Sequence, residues 1–281
     1  MKKGMIILVA IAVFAACATA QTKQEGGMKL TEKEKAVALI TSLETGDPGP
    51  VQYIDPNRYI QHNLMAADGL EGFAELMKQV PKGSVKAKVM RAFQDGAYVF
   101  LHTQYDFFGP KIGFDIFRFE NGLIVEHWDN LQPLARETAS GRSQFDGPTR
   151  AVDLEKTEAN KLLVKGFVAD VLQGGAPGRI TEYIAPDHYL QHNPAVGDGL
   201  AALGKALEDM ARQGVPMTYR RNHMILGEGD FVLTVSEGQF LGRPACFYDL
   251  FRVENGRIVE HWDTIEEIPP RKDWKNGNGK F

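Results

Sequence analysis

The residues of this 281-residue chain best suited to chemistry fall in two sets, and each set occurs twice. Tyr59-Ile60-Gln61-His62-Asn63 returns as Tyr189-Leu190-Gln191-His192-Asn193. Asp115-Ile116-Phe117-Arg118 returns as Asp249-Leu250-Phe251-Arg252, followed both times by Glu-Asn-Gly and then by Glu-His-Trp-Asp. Gln, His and Asn are costly to bury without partners, so a run of them in a connection reads as polar groups lining the mouth of a cavity. A hydrogen-bond network that pins the loop is the alternative for Gln61 and Asn63. His62 is the site candidate of the first run and His192 its counterpart in the second.

The aspartates carry the acid–base potential. If Asn121 and Gly122 are the central residues of an uninterrupted hairpin, Glu120 pairs with Leu123, Phe117 with Glu126 and Asp115 with Trp128. Asp115, Phe117, Phe119, Ile124, Glu126 and Trp128 then share one sheet face, and Ile116, Arg118, Val125 and His127 share the other. One bulge in the strand would reverse these faces. An acid among Phe, Ile and Trp is either a paired core carboxylate or one whose desolvation raises its pKa towards the range useful in general acid–base catalysis. Asp249 with Trp262 follows the same logic. His102, 13 residues before Asp115 on the preceding strand, is placed to bring an imidazole near that carboxylate. A strand histidine satisfied by backbone or water is the alternative. Val235 stands at the matching point of the second copy, so the first copy is expected to hold the complete site. Tyr59, Phe117 and Trp128 are expected to form its apolar wall with Asn63 as a polar contact, while His127 and Arg118 are expected to serve packing between the copies.

Other chemistries lack their signatures. A metal set of His62, His102 and Asp115 has no short spacing such as His-x-His or His-Glu-x-x-His, so no metal is expected. A phosphate loop, a dinucleotide fingerprint and a Gly-x-Ser-x-Gly elbow are absent from the sequence. With 32 basic and 36 acidic residues the net charge is -4, which gives no footprint for nucleic acid. Cys246, in the apolar stretch Ala245 to Phe247, reads as an inert core thiol.

These residues are positioned by a duplicated set of elements. Residues 53–70 align with 183–200 at ten identities in 18, and 115–129 with 249–263 at 12 in 15. Helices are expected over 31–44, 50–54 and 69–79, then strands over 84–94, 97–107, 111–120 and 123–132, the last two joined at Asn121-Gly122. The second copy predicts helices over 157–172 and 200–212 and strands over 217–225, 230–240, 245–254 and 257–265. Helices followed by an antiparallel meander define an α+β fold. The chain divides into a leader over 1–20, a domain over 28–133, a linker over 134–155, a second domain over 156–268 and a polar tail over 269–281. Lys2 and Lys3, the apolar run Met5 to Ala16 and Ala18-Thr19-Ala20 have the form of an export signal. Phe14-Ala15-Ala16-Cys17 equally resembles a lipobox, so the expectation is a periplasmic protein or a lipoprotein anchored to the membrane at Cys17.

The Tyr-Ile-Gln-His-Asn run with its following Asp-Gly, and the block from Asp115 to Asp129, resemble the SnoaL-like branch of the nuclear-transport-factor-2-like superfamily, across both copies. The resemblance implies two tandem cone-shaped α+β barrels, each a curved sheet wrapped around a cavity, with the outer sheet faces used for pairing. In the characterised cyclases of this branch an aspartate matching Asp115 is the general acid and base, with a histidine on the preceding strand and no cofactor. Asp115, His102 and His62 are thereby the expected catalytic set, and His192, Asp249 and Trp262 mark a second pocket. The expected ligand is a small apolar or carbonyl-containing molecule. The expected activity is aldol-type, cyclase or isomerase chemistry, with a non-catalytic ligand-binding module as the alternative, and the duplication predicts an intramolecular pseudo-dimer.

Overall fold

The computed structural model describes residues 29–79, 85–214 and 217–281. The expected leader and Cys17 lie outside them, and among the described residues no helix is long and apolar enough to cross a membrane. Helix α1 (Glu32–Thr45) starts at a capping box: the Thr31 hydroxyl accepts from Glu34 N, and the Glu34 carboxylate accepts from Thr31 N. It stops at Gly46 in the left-handed conformation and buries Ala36, Leu39 and Ile40. A 3-10 turn at Gly49–Tyr53 leads to the short strand β1 (Ile60–Gln61), helix α2 (Gly69–Gln79) and the strands β2 (Lys86–Asp95), β3 (Tyr98–Asp106), β4 (Pro110–Glu120) and β5 (Leu123–Pro133). The sheet order is β1-β5-β4-β3-β2, with β1 parallel to β5 and the remainder an antiparallel meander.

The second half follows the same plan. Helix α3 (Thr157–Phe167) continues as a π-helical turn at Val168–Leu172, and α4 (Ile180–Tyr183) precedes β6 (Leu190–Gln191) and α5 (Gly199–Arg212). Strands β7 (Met217–Glu228), β8 (Phe231–Phe240), β9 (Arg243–Glu254) and β10 (Arg257–Glu267) complete a sheet of order β6-β10-β9-β8-β7. The fold is α+β, two cone-shaped sheet-and-helix bodies in succession.

The β4–β5 hairpin decides the site. Glu120 pairs with Leu123 and Phe119 with Ile124 around Asn121-Gly122, whose φ angles of 52° and 77° are those a tight primed turn requires. Beyond Ile124 the register slips by one residue, so Arg118 pairs with Glu126, Phe117 with His127, Ile116 with Trp128 and Asp115 with Asp129. Val125 is the extra residue of a β-bulge, and it reverses the faces that an uninterrupted hairpin would have. His127 and Asp129 join Asp115 on the concave face, while Glu126 and Trp128 turn outward. β10 slips in the same way between Ile258 and Glu260, opposing His261 to Phe251 and Asp263 to Asp249.

The outer faces share one hydrophobic cluster, to which Phe93, Phe100, Phe114, Ile116 and Trp128 contribute from the first sheet and Phe231, Val235, Tyr248 and Trp262, among others, from the second. Cys246 lies in it, its thiol pKa pushed well up by burial. Polar groups lock the contact. Asn130 Nδ2 donates to both the carbonyl and the hydroxyl of Thr264 (2.9 Å each). Gln132 Oε1 accepts from Ile265 N and Glu266 Oε2 from Leu131 N, a reciprocal pair. Arg91 is fully buried, its guanidinium 4.4 Å over the Trp262 ring, and donates to the carbonyls of Pro148 (2.7 Å), Phe145 (3.0 Å) and Asp146. The segment after each sheet crosses to the opposite loop: Ala139 N donates to Pro194 O, and Lys275 N donates to Leu64 O (2.9 Å each). Replacing Arg91 by Met strands several buried carbonyls, so Arg91→Met should destabilise the protein by about 3 kcal/mol in urea unfolding, with Arg91→Lys recovering only part because an ammonium cannot reproduce the planar fork.

Candidate active site

The concave face of the first sheet, α1, α2 and the β1 loop enclose a cavity of about 330 Å³. Leu39, Phe73, Met77, Phe107 and Phe117 supply apolar wall, and Tyr59, Gln61, Asn63, Asp115, His127 and Asp129 converge on its polar end. Asp115 is 3% exposed. It accepts from the Tyr105 hydroxyl (2.6 Å) and at longer range from Thr103 Oγ1 (3.4 Å), and its Oδ1 faces His127 Nε2 at 3.4 Å. Among the described residues, neither Arg nor Lys is one of its hydrogen-bond partners. Burial first and the Asp115 charge second raise the Tyr105 pKa well above the usual value, which keeps that hydroxyl a donor.

The β1 loop orients the histidine. Gln61 Oε1 accepts from Asn63 N (3.1 Å), which marks it as the carbonyl oxygen, so His127 Nδ1 must donate to it (2.9 Å) and Nε2 is turned to Asp115. The imidazole also stacks on Phe117 with centroids 4.6 Å apart. Asp129 accepts from Asn63 Nδ2 (2.5 Å) and from the buried ammonium of Lys280 (3.4 Å), which also reaches Glu266 (2.6 Å). Burial opposes the charge on Lys280, but the two carboxylates outweigh it and hold its pKa above the usual lysine range. The polar tail thus brings a cation to the back of the first cavity.

The expected site residues divide. Asp115, Tyr59, Asn63 and Phe117 line the first cavity, and Asp249 lines the second. His102 does not reach Asp115: Leu101 is the residue opposite Asp115, and His102 pairs with Phe114 on the outer face. There it stacks on Phe114 at 4.5 Å, and Arg91 Nη1, which can only donate, bonds its Nδ1 at 2.8 Å. Burial and then the Arg91 charge push the His102 pKa well down, fixing it neutral. His62 is also outside, stacked on Trp128 at 4.6 Å with Nε2 against Glu126 (2.9 Å) and Nδ1 donating to Gly279 O (2.9 Å). Trp128 is on that outer face rather than in the cavity wall, for the reason the bulge supplies. His192 and Trp262 repeat the arrangement: the rings stack at 4.7 Å, His192 meets Glu260, and Trp262 Nε1 donates to Asp146 O. His127, expected to serve packing, is instead in the site, as are Asp129, Tyr105 and Gln61. The available signal was His-Trp-Asp, present identically in both copies, with His and Asp two apart and therefore on one strand face.

The second cavity, about 390 Å³, holds the same set. Asp249 accepts from Tyr219 OH (3.1 Å) and faces His261 Nε2 (3.1 Å), His261 Nδ1 meets Gln191 Oε1 (2.9 Å), and Asn193 Nδ2 donates to Asp263 (2.6 Å). The copies therefore do not differ in whether the site has a histidine. They differ in the segments that cross from the opposite copy. The carbonyls of Ser143 and Gly279 receive equivalent bonds from His192 and His62, and the next residue along is Gln144 in one segment and Lys280 in the other. Burial and then the Asp249 charge, against the favourable His261 charge and Asn193 bond, raise the Asp263 pKa to about 6. For His261 burial acts downward, but the Asp249 bond and the charges of Asp263 and Asp249 prevail and its pKa is raised.

Residues 164–261 match the family described as the SnoaL-like domain. The match covers the second copy, and the first copy repeats its sequence blocks. No curated protein matches the chain. Among solved structures, a Xanthomonas campestris protein of unknown function with a cystatin-like fold is 24% identical over 41% of this chain and 97% of its own, with a TM-score of 0.34. IdmH of Streptomyces antibioticus, a candidate polyketide cyclase, is 25% identical over 38% of this chain and 91% of its own, with a TM-score of 0.30.

Because the Asp263 pKa is raised above the ordinary carboxylate value, the fold favours its protonated form, and stability present below about pH 4 is lost as pH rises through about 6. In chelator-containing buffer Asp263→Asn, which cannot ionise, should be more stable than the parent at pH 8 by up to about 3 kcal/mol in urea unfolding and should match it near pH 4.

Proposed function

We propose that the first cavity is the active site of an enzyme that acts on a small carbonyl compound by proton transfer without a cofactor, in aldol-type, cyclase or isomerase chemistry. The observation that carries this reading is a buried carboxylate, Asp115, set in an apolar cavity with an imidazole 3.4 Å away and, among the described residues, no Arg or Lys bonded to it. Asp115 removes a proton from the carbon next to the carbonyl and returns one to the product. His127, its Nδ1 held by Gln61, supports the Asp115 charge and exchanges protons with it. The Tyr59 hydroxyl accepts from Gln61 Nε2 (3.4 Å) and keeps its own proton to donate to the carbonyl oxygen. Burial and the neighbouring acids raise the Tyr59 pKa and hold it in that form.

The cluster shared by the two sheets and the crossing segments support a further reading, that the two copies work as an intramolecular pseudo-dimer. The lysine pair and the apolar run at the start of the chain support export, with or without a lipid at Cys17.

In deuterium oxide, proton exchange next to the carbonyl of cyclohexanone and acetylacetone, followed by NMR, reads the proposed step without knowledge of the natural substrate. Asp115→Asn should abolish catalysed exchange, by 10³-fold or more, Tyr59→Phe should slow it by about 10²-fold, and His102→Gln should leave it within twofold. Exchange that survives Asp115→Asn would rule out the general-base role. Tight ligand binding with no exchange in the parent protein would favour a non-catalytic binding module.

A further inference from the structure

We propose that the second cavity holds a divalent transition-metal ion on Asp249, His261 and Asp263, independently of the acid–base reading of the first cavity. His261 and Asp263 alternate along β10 and so share a face, and Asp249 of β9 pairs directly with Asp263. One ligand atom from each residue lies within 4.8 Å of the others. Asp249 and Asp263 are 2% and 5% exposed, yet Asp249 Oδ2 and Asp263 Oδ1 have no hydrogen-bond partner among the described residues, and both residues line the cavity. Two buried carboxylates with free oxygens side by side call for a cation.

The histidine is prepared for that cation. Gln191 Oε1 accepts from the backbone N–H of His192 and of Asn193 (3.0 Å each), so it is the oxygen end of the amide and His261 Nδ1 must donate to it. In the neutral imidazole this leaves the Nε2 lone pair pointing at Asp249 Oδ1, 3.1 Å away. Two acceptors at that distance repel unless a positive centre, either a proton on Nε2 or a metal ion, lies between or beside them. Two ligands of one ion, each at about 2.0–2.2 Å, stand roughly 3.0–3.5 Å apart, which matches the pair. The surrounding bonds are of the kind that orient metal ligands: Gln191 on the imidazole, Asn193 Nδ2 on Asp263 Oδ2 and Tyr219 OH on Asp249 Oδ1. One nitrogen with two carboxylates suits zinc, manganese or ferrous iron, and three protein ligands leave positions open towards the cavity.

The first cavity supplies an internal comparison. It has the same three residue types, but its second aspartate already has a cation, the ammonium of Lys280 at 3.4 Å. Gln144 takes the lysine's place in the other segment. The metal ion in the second copy would fill the electrostatic role that Lys280 fills in the first.

The test is titration of chelator-stripped full-length protein with Zn²⁺ and Mn²⁺ by calorimetry and with Co²⁺ by visible absorption. Saturation at one ion per chain is expected, with affinity reduced at least tenfold by His261→Gln and by Asp263→Asn and unchanged by Asp129→Asn. Should the substitutions prevent folding, ¹⁵N NMR of the parent protein decides: Zn²⁺ should shift His261 Nε2 while Nδ1 stays protonated, with His127 unmoved. Absence of saturable binding of all three ions, or binding indifferent to both second-cavity substitutions, would overturn the proposal. So would uptake of n-butylammonium in place of metal and lost in Asp263→Asn, which would identify the cation as organic.

Discussion

The extra residue at Val125, repeated at Val259, turns the end of the last strand over by one side-chain position. Strand side chains alternate, so a single inserted residue exchanges everything beyond it between the two faces. Without the bulge Trp128 would lie in the cavity and His127 and Asp129 on the outer face. With it, the imidazole and second carboxylate meet Asp115, while Trp128 is freed to stack on His62. The parallel strand β1 docks just past the bulge, pairing Ile60 with Glu126 and Gln61 with His127, so the loop that fixes the histidine tautomer is in register with the histidine itself. Both copies depend on this one irregularity.

A second constraint is electrostatic. Each cavity gathers two aspartates and one histidine in a mostly apolar setting, where charge of one sign is expensive without compensation. The first copy receives compensation from the end of the chain, through Lys280 on Asp129 and Glu266. In the second the equivalent position of the crossing segment is the neutral Gln144, and burial together with the Asp249 charge raises the Asp263 pKa. Two sites of nearly identical composition thereby differ in the groups that the crossing segments bring to them.

Local features of the fold were legible in the sequence. Thr31 with Glu34 announces α1, Asn121-Gly122 and Asn255-Gly256 announce the hairpins, and the repeated blocks announce two copies of one unit. Strand alternation puts Asp115 and Phe117 on one face, and the polar run in a connection points Tyr59 and Asn63 to the cavity mouth. The rest depends on information that alternation does not carry. The bulge has no residue signature, so His127 and Trp128 exchanged roles. β1 is too short to give a periodic signal. His102 was misplaced because the turn after β3 sets Leu101, not His102, opposite Asp115, a difference of one residue in loop length. Lys280 sits in a polar tail whose partner, Asp129, is 151 positions away, a contact that no local pattern reports.

The most direct test of the account is long-range ¹⁵N NMR of the histidine side chains in the parent protein and in Asp115→Asn. Removing the Asp115 charge should move the His127 Nε2 resonance, leave its Nδ1 protonated, and leave His62 and His102 unchanged. A shift at His102 with His127 unmoved would restore the flat hairpin register and contradict the site described above.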